Sequence, residues 1–302
     1  MEPIAGPDDI VHVPAPWGLK GTVYQFAWWT PRTQAEDMPA MAYSPLEANS
    51  AFASPEGSKP LGGLSVVQII RYTESPVGPY DELLFVPGSH ENVVDDEKTG
   101  KRVTKRNARV TRIYVSQKYT CWNGRTNWNI PKHLAKFEWH TDPSTSTATV
   151  KVYPHDTPKA SGPSSTYDAT EATAATVPFF QASFKPVPFT PSFPFSAAVF
   201  RYLGLNPTLV QPPLPEGKDA SQKELPGTSK WCAIDPVQSS WKTKLGWFDL
   251  RQQTDGRGQV IGGAEGENFW PGLGRWHLGI RMENATIDFG EGRYWDPSRS
   301  TM

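Results

Sequence analysis

The chain has 302 residues with 30 Lys and Arg against 31 Asp and Glu, so it is close to neutral and long enough for one large domain or two ordinary ones. That balance excludes a strongly basic nucleic-acid binder and an acidic tail, while 37% apolar and 20% charged residues exclude a coiled coil or a disordered chain. Thirty prolines argue against long helices.

In chain order, the opening MEPIAGPDDIVHVPAPWG has no basic stretch followed by an apolar run, and no later apolar stretch reaches the roughly 20 residues a membrane helix needs. A cytoplasmic protein without a membrane partner is expected. Runs rich in Val, Ile, Phe and Tyr then recur between Pro, Gly and Ser clusters, which reads as mostly β. The strand candidates are Leu64–Tyr72, Asp81–Val86, Arg109–Ser116, Ala148–Tyr153, Val177–Phe184 and Arg275–Phe289, the last holding two strands or one bent strand. Ser196–Leu205 is compatible with a short helix or a strand. Glu91–Lys105 is crowded with charge, Thr157–Thr176 is rich in Ser, Thr, Ala and Pro, and Gln211–Lys230 carries PPLPEGKDASQKELPG; all three read as inserted surface loops. No repeat or linker interrupts the pattern, so residues 1–302 are expected to form one β-rich domain.

The common chemical signatures are missing. The sequence holds no GxGxxG, P-loop, HExxH or GxSxG, and neither its six histidines nor Cys121 and Cys232 have metal-ligand spacing. No cofactor and no metal are expected. An isolated cysteine such as Cys121 reads as a small buried residue.

The informative stretch is Cys121–Trp139, CWNGRTNWNIPKHLAKFEW, where Asn123, Arg125, Asn127 and Asn129 alternate with Trp122 and Trp128 ahead of Pro131-Lys132-His133. So many polar groups beside large aromatics suggest a pocket wall. Lys132 precedes Leu134, Ala135 and Phe137; an amine held in such surroundings loses its charge more readily and becomes a nucleophile near neutral pH. The alternative is that Lys132 starts a helix and extends into solvent.

Gly124-Arg125, five residues, then Pro131-Lys132 and Leu134-Ala135 resembles the acetoacetate decarboxylase family, in which Gly-Arg precedes Pro-Lys-Lys-Leu at that spacing. Upstream, Gly78-Pro79-Tyr80-Asp81-Glu82 looks like the family's Gly-x-Tyr-x-Glu element, and the wording NGRTNWNIPKHLAKF is most like its fungal branch. The resemblance implies an antiparallel, cone-like β-barrel around an apolar cavity, with Lys132 forming a Schiff base. Glu82 would transfer protons together with His133, and Tyr80, Arg125, Trp128 and Asn129 would contact a hydrophobic small-molecule substrate. It also admits a homo-oligomer. Two departures matter. The family's second lysine is His133 here, and its N-terminal carboxylate-binding arginine has no match beyond Arg32 in the unlike context TPRTQ. A keto compound larger than acetoacetate is therefore expected, with decarboxylation or the related aldol and dehydration chemistry. The alternatives are a non-covalent cyclase or isomerase of a polyketide- or terpenoid-like substrate in secondary metabolism, or a carrier of an apolar molecule.

Overall fold

The computed structural model describes residues 10–95, 101–155, 174–199, 206–218, 222–254 and 270–297. Among them the strands in chain order are β1 (Trp17–Thr30), β2 (Ser58–Glu74), β3 (Tyr80–Val86), β4 (Ser89–Asp95), β5 (Arg102–Ala108), β6 (Arg112–Val115), β7 (Lys132–Asp142), β8 (Thr147–Pro154), β9 (Phe180–Pro186), β10 (Phe193–Ser196), β11 (Leu209–Gln211), β12 (Trp231–Ile234), β13 (Val237–Asp249), β14 (Trp276–Phe289) and β15 (Arg293–Trp295). The helices are short: α1 (Arg32–Glu36), α2 (Pro45–Ala48) and α3 (Lys118–Trp128). None of the described helices is long and apolar enough to cross a membrane.

Nine strands, ordered β1-β14-β13-β9-β8-β7-β6-β3-β2, close into a barrel because β2 also pairs with β1. The long β2 leaves the barrel at its N-terminal end and pairs with β4 there, starting a second sheet of β4, β5, β11, β12 and β15. Alternation explains both faces of the shared wall. Val67, Ile69, Leu83 and Phe85 enter the larger core with Tyr24, Phe26, Phe184 and Phe248, whereas Ile70 and Tyr72 belong to a second core with Tyr80, Ile113 and Trp128. Gly246 and Gly279 face each other across β13 and β14. A Cβ on either would collide with the rings of Phe184 or Phe248, at 2.2 and 2.4 Å, so the two glycines make the space these aromatics fill.

The barrel is antiparallel except between β6 and β7, which run parallel and are joined by α3. Gln117 caps this helix by accepting from the Thr120 N–H, and Asn129 ends it in a left-handed conformation at φ 54°. Pro131 follows, so the chain leaves the helix directly into β7 with Lys132 as its first residue.

Several expectations are corrected here. Glu91–Lys105 is not a loop: its described part belongs to the β4–β5 hairpin, where His90, Asn92 and Val94 are buried while Glu91, Arg102 and Lys105 are exposed. Charge density concealed the alternation along β4. Gln211–Lys230 forms no helix or strand beyond the end of β11 among its described residues, as a loop should, but it is packed in rather than superficial: Gln211, Leu214 and Leu225 are buried and backbone carbonyls of this stretch accept from Arg125 and Asn129. Residues 156–173, and residues 200–205 of the undecided segment, lie outside the described residues; Ser196 ends β10. Arg275–Phe289 is the single strand β14, bent where its register with β1 slips beside Asn284, at φ 50°. Lys132 begins a strand rather than a helix.

We expect Gly279→Ala to destabilise the fold by about 1–3 kcal/mol, since the added methyl meets the Gln25 carbonyl at 2.4 Å as well as Phe248. A thermal midpoint equal to that of the parent chain would contradict this account of the barrel packing.

Candidate active site

Alternation along β3 puts Tyr80 and Glu82 on one face, and the β2–β3 register sets Tyr72 opposite Tyr80 and Ile70 opposite Glu82. The β6–β7 register places Lys132 beside Ile113, next to this face. The side chains converge. Lys132 Nζ donates to Glu82 Oε2 at 2.9 Å and to Thr120 Oγ1 of α3 at 2.9 Å, and it stands 5.1 Å from the centre of the Tyr80 ring. Tyr72 donates to the other Glu82 oxygen at 3.2 Å, and the two tyrosine rings lie 4.4 Å apart. All five residues are buried.

Gly124 explains how a lysine fits there. Its ideal Cβ position is 2.7 Å from both Cδ and Cε of Lys132, so any side chain at 124 would occupy the path of the lysine stem. The Gly-Arg pair thus has two physical tasks: Gly124 admits the stem, and Arg125 donates to the Lys132 carbonyl at 3.3 Å.

Glu82, Lys132 and Tyr72 form one side of a cavity of about 180 Å³. Its remaining wall is largely apolar, including Val66, Ile70, Leu84, Ile113, Leu209 and Phe289, with Gln25, Gln68 and Gln238 as the other polar residues. Glu82 and Lys132 are the only charged side chains among its described lining. Arg32 lies elsewhere, exposed on α1 and paired with Glu36.

Burial works against a charged Lys132, yet the neighbouring Glu82 carboxylate and Tyr80 outweigh it and hold the ammonium above the ordinary lysine value. The expected neutral amine in an apolar wall is therefore corrected: the wall contains its own counter-ion. Burial raises the Tyr80 hydroxyl to about 12, and burial with the Glu82 charge raises Tyr72 well above its usual value, so both phenols stay protonated. Cys121 is likewise pushed up by burial and donates its Sγ–H to the Lys132 carbonyl at 3.2 Å.

Tyr80 packs beside Lys132 but is not among the lining residues of this cavity, and neither are the expected site residues other than Glu82 and Lys132. His133 follows Lys132 in the strand and faces the other way, where its Nε2 meets Glu47 Oε2 at 2.6 Å. Arg125 donates to Glu47 Oε1 at 2.9 Å and to the carbonyls of Pro215 and Pro226 at 2.6 and 3.1 Å. Asn129 donates to the Pro212 and Lys230 carbonyls, and Trp128 donates to Gly290 while packing edge-on against Trp17. These residues hold α3 against the second sheet and the 211–230 stretch. Sequence reasoning missed Thr120, Tyr72 and Glu47. Register against Tyr80 could have indicated Tyr72, whereas nothing in the PLEA context marks Glu47. No group of three His, Cys, Asp or Glu among the described residues is arranged to hold a metal ion.

Two outcomes follow from this geometry. Gly124→Ala should displace the Lys132 amine from Glu82 and change its titration, with circular dichroism unchanged; an unchanged Lys132 titration would contradict the steric argument. Glu47→Gln should cost about 3–5 kcal/mol in denaturant unfolding, because it leaves Arg125 buried without its carboxylate. Burial opposes ionisation of Glu47, but His133 and Arg125 overcome it and lower its pKa. Its stabilising contribution is present above the ordinary carboxylate range and is lost as the pH falls through the lowered value.

No sequence-family model and no curated protein sequence matches this chain. Solved structures do resemble it. An acetoacetate decarboxylase from Legionella pneumophila aligns at 11% identity over 93% of this chain and 88% of its own, with a TM-score of 0.54. An acetoacetate decarboxylase-like enzyme from Sphingomonas wittichii RW1 aligns at 10% identity over 95% of each chain, TM-score 0.52. The enduracididine biosynthesis enzyme MppR, in complex with the condensation product of pyruvate and imidazole 4-carboxaldehyde, aligns at 15% identity over 99% of each chain, TM-score 0.51. Together with the closed nine-stranded barrel, these similarities show that the chain has the acetoacetate decarboxylase-like fold.

Proposed function

We propose that the protein is an enzyme that forms a Schiff base between Lys132 and a hydrophobic keto compound. The carrying observation is the buried Lys132 amine on the cavity wall, 2.9 Å from a carboxylate able to exchange its proton. Once a ketone fills the cavity and excludes water, transfer of one proton along this hydrogen bond leaves a neutral amine and a neutral Glu82. The amine adds to the carbonyl carbon, and its proton moves to the oxygen to give a carbinolamine. Glu82 returns the borrowed proton to the departing hydroxyl, water leaves, and an iminium remains beside the Glu82 carboxylate. The ammonium of the resting state and the iminium carry the same charge at the same place, so one fixed carboxylate favours both. Glu82 can then remove a proton from the adjacent carbon to form an enamine, and Tyr80 packs beside the pair.

The cavity lining favours aldol or dehydration chemistry on an uncharged keto compound over decarboxylation of a keto acid. No arginine is among its described lining residues, where a substrate carboxylate would meet only the lysine that must react. The condensation product bound by the structurally similar MppR supports aldol-type chemistry, though its pyruvate half is a keto acid; the preference for an uncharged substrate rests on the lining alone. A non-covalent isomerase is favoured by the raised Lys132 pKa: the ammonium would hold a carbonyl oxygen while Glu82 moves a proton.

Borohydride reduction during incubation with 1,3-diketones, methyl ketones, aldehydes and β-keto acids, read by intact-mass spectrometry, separates these readings. The expected result is a reduced adduct on Lys132, strongest with the uncharged compounds and missing in Lys132→Ala. No adduct with any compound, or an adduct that survives in Lys132→Ala, would overturn covalent catalysis.

A further inference from the structure

A second pocket, of about 360 Å³, opens beside the first on the far side of the 108–110 segment. Ala108 and Val110 line the Lys132 cavity, whereas Arg109 between them lines this one. The wall also includes His90 of β4, Ser58 of β2 and Tyr43, with Met38, Ala53 and Pro55 forming an apolar flank.

Arg109 is 0% exposed and has no carboxylate partner among the described residues. Its Nη2 donates to Ser58 Oγ at 2.7 Å and to Asn92 Oδ1 at 3.2 Å, and its guanidinium lies 5.7 Å from the centre of the Trp231 ring. Its Nε and Nη1 have no partner among the described residues. His90, 2% exposed, also has both ring nitrogens unpartnered. Two donor-bearing side chains are thus buried on one pocket wall, each with nitrogens left unpartnered, and one carries a charge. Buried charges in proteins are ordinarily paired, because an uncompensated one is strongly unfavourable. Burial lowers the Arg109 pKa to about 10 and holds His90 well below its ordinary value, so His90 is neutral and can offer one N–H. The missing element is an acceptor with negative charge.

We propose that this pocket binds a small amphipathic monocarboxylate, its carboxylate against Arg109 and His90 and its apolar body along Met38, Ala53 and Pro55. The rim selects against more highly charged anions. Glu36 and Asp37 stand there exposed, with Glu36 held by Arg32, and would repel a phosphate dianion more than a single carboxylate. The walls suit an acyl chain, and the site shares no lining residue with the Lys132 cavity.

Isothermal titration calorimetry of the full chain with sodium octanoate, at fixed ionic strength, tests this. Saturable one-to-one binding is expected in the parent chain and unchanged in Lys132→Ala. Arg109→Met should weaken it by about tenfold or more, the scale of a lost charge-assisted hydrogen bond. Ser54→Trp, which adds a bulky ring at an exposed position of the pocket lining while leaving Arg109 intact, should weaken it as well, and it decides the matter if Arg109→Met does not fold. No binding by the parent chain, or undiminished binding in Ser54→Trp, overturns the proposal. So does loss of binding in Lys132→Ala, which would place octanoate in the other cavity. Inorganic phosphate competing at equal concentration would overturn the carboxylate assignment.

Discussion

A lysine ammonium taken out of water needs a fixed negative partner, and the second core of this protein is arranged around meeting that need. Removing two opposite charges from solvent is costly, and it is offset only when their geometry is good and their remaining hydrogen-bonding groups are satisfied. Glu82 meets both conditions: one oxygen accepts from Lys132 and the other from Tyr72, while Thr120 accepts a second Lys132 proton. The pair is therefore a stable resting state. A single proton transfer separates it from a nucleophile, which makes the same interaction structural and chemical at once.

The placement of that pair depends on the crossover from β6 through α3 to β7. A parallel connection needs a helix, and this helix ends at Asn129 so that Lys132 enters the sheet beside Glu82. Behind it, Glu47 binds Arg125 and His133, and Arg125 in turn binds the Lys132 carbonyl. Two buried ionic clusters thus sit on opposite sides of the first residues of β7. One faces the cavity, and the other fixes the backbone that carries the amine. His133 belongs to the second cluster, which explains how a histidine can follow the lysine without a second charge entering the cavity.

Sequence reasoning reached the β-rich class, several strands and the Glu82–Lys132 pair, the last through two short motifs. It failed where local pattern and tertiary role diverge. The helix α3 shows no apolar period, because eight of its eleven residues are buried and many of those are polar. Charges on β4 and β5 looked like a loop because much of the hairpin, three consecutive residues of β5 included, stays exposed. Arg125, Trp128 and Asn129 read as pocket residues because polar groups beside tryptophans suggest a ligand, yet they are tied to backbone carbonyls far away in the chain and, for Arg125, to Glu47. Burial does disfavour the Lys132 charge as foreseen, but the net direction differs, since its counter-ion is fifty residues away and only the strand register brings it near.

The ionisation of Lys132 is the most direct test of this account. Reductive ¹³C-methylation followed by NMR titration would report it in the parent chain and in Glu82→Gln. The account predicts a Lys132 pKa above the ordinary lysine value that falls below it once Glu82 is neutralised, because the main opposition to burial is then gone. A Lys132 that titrates below the ordinary value in the parent chain, or that does not respond to Glu82→Gln, would contradict it.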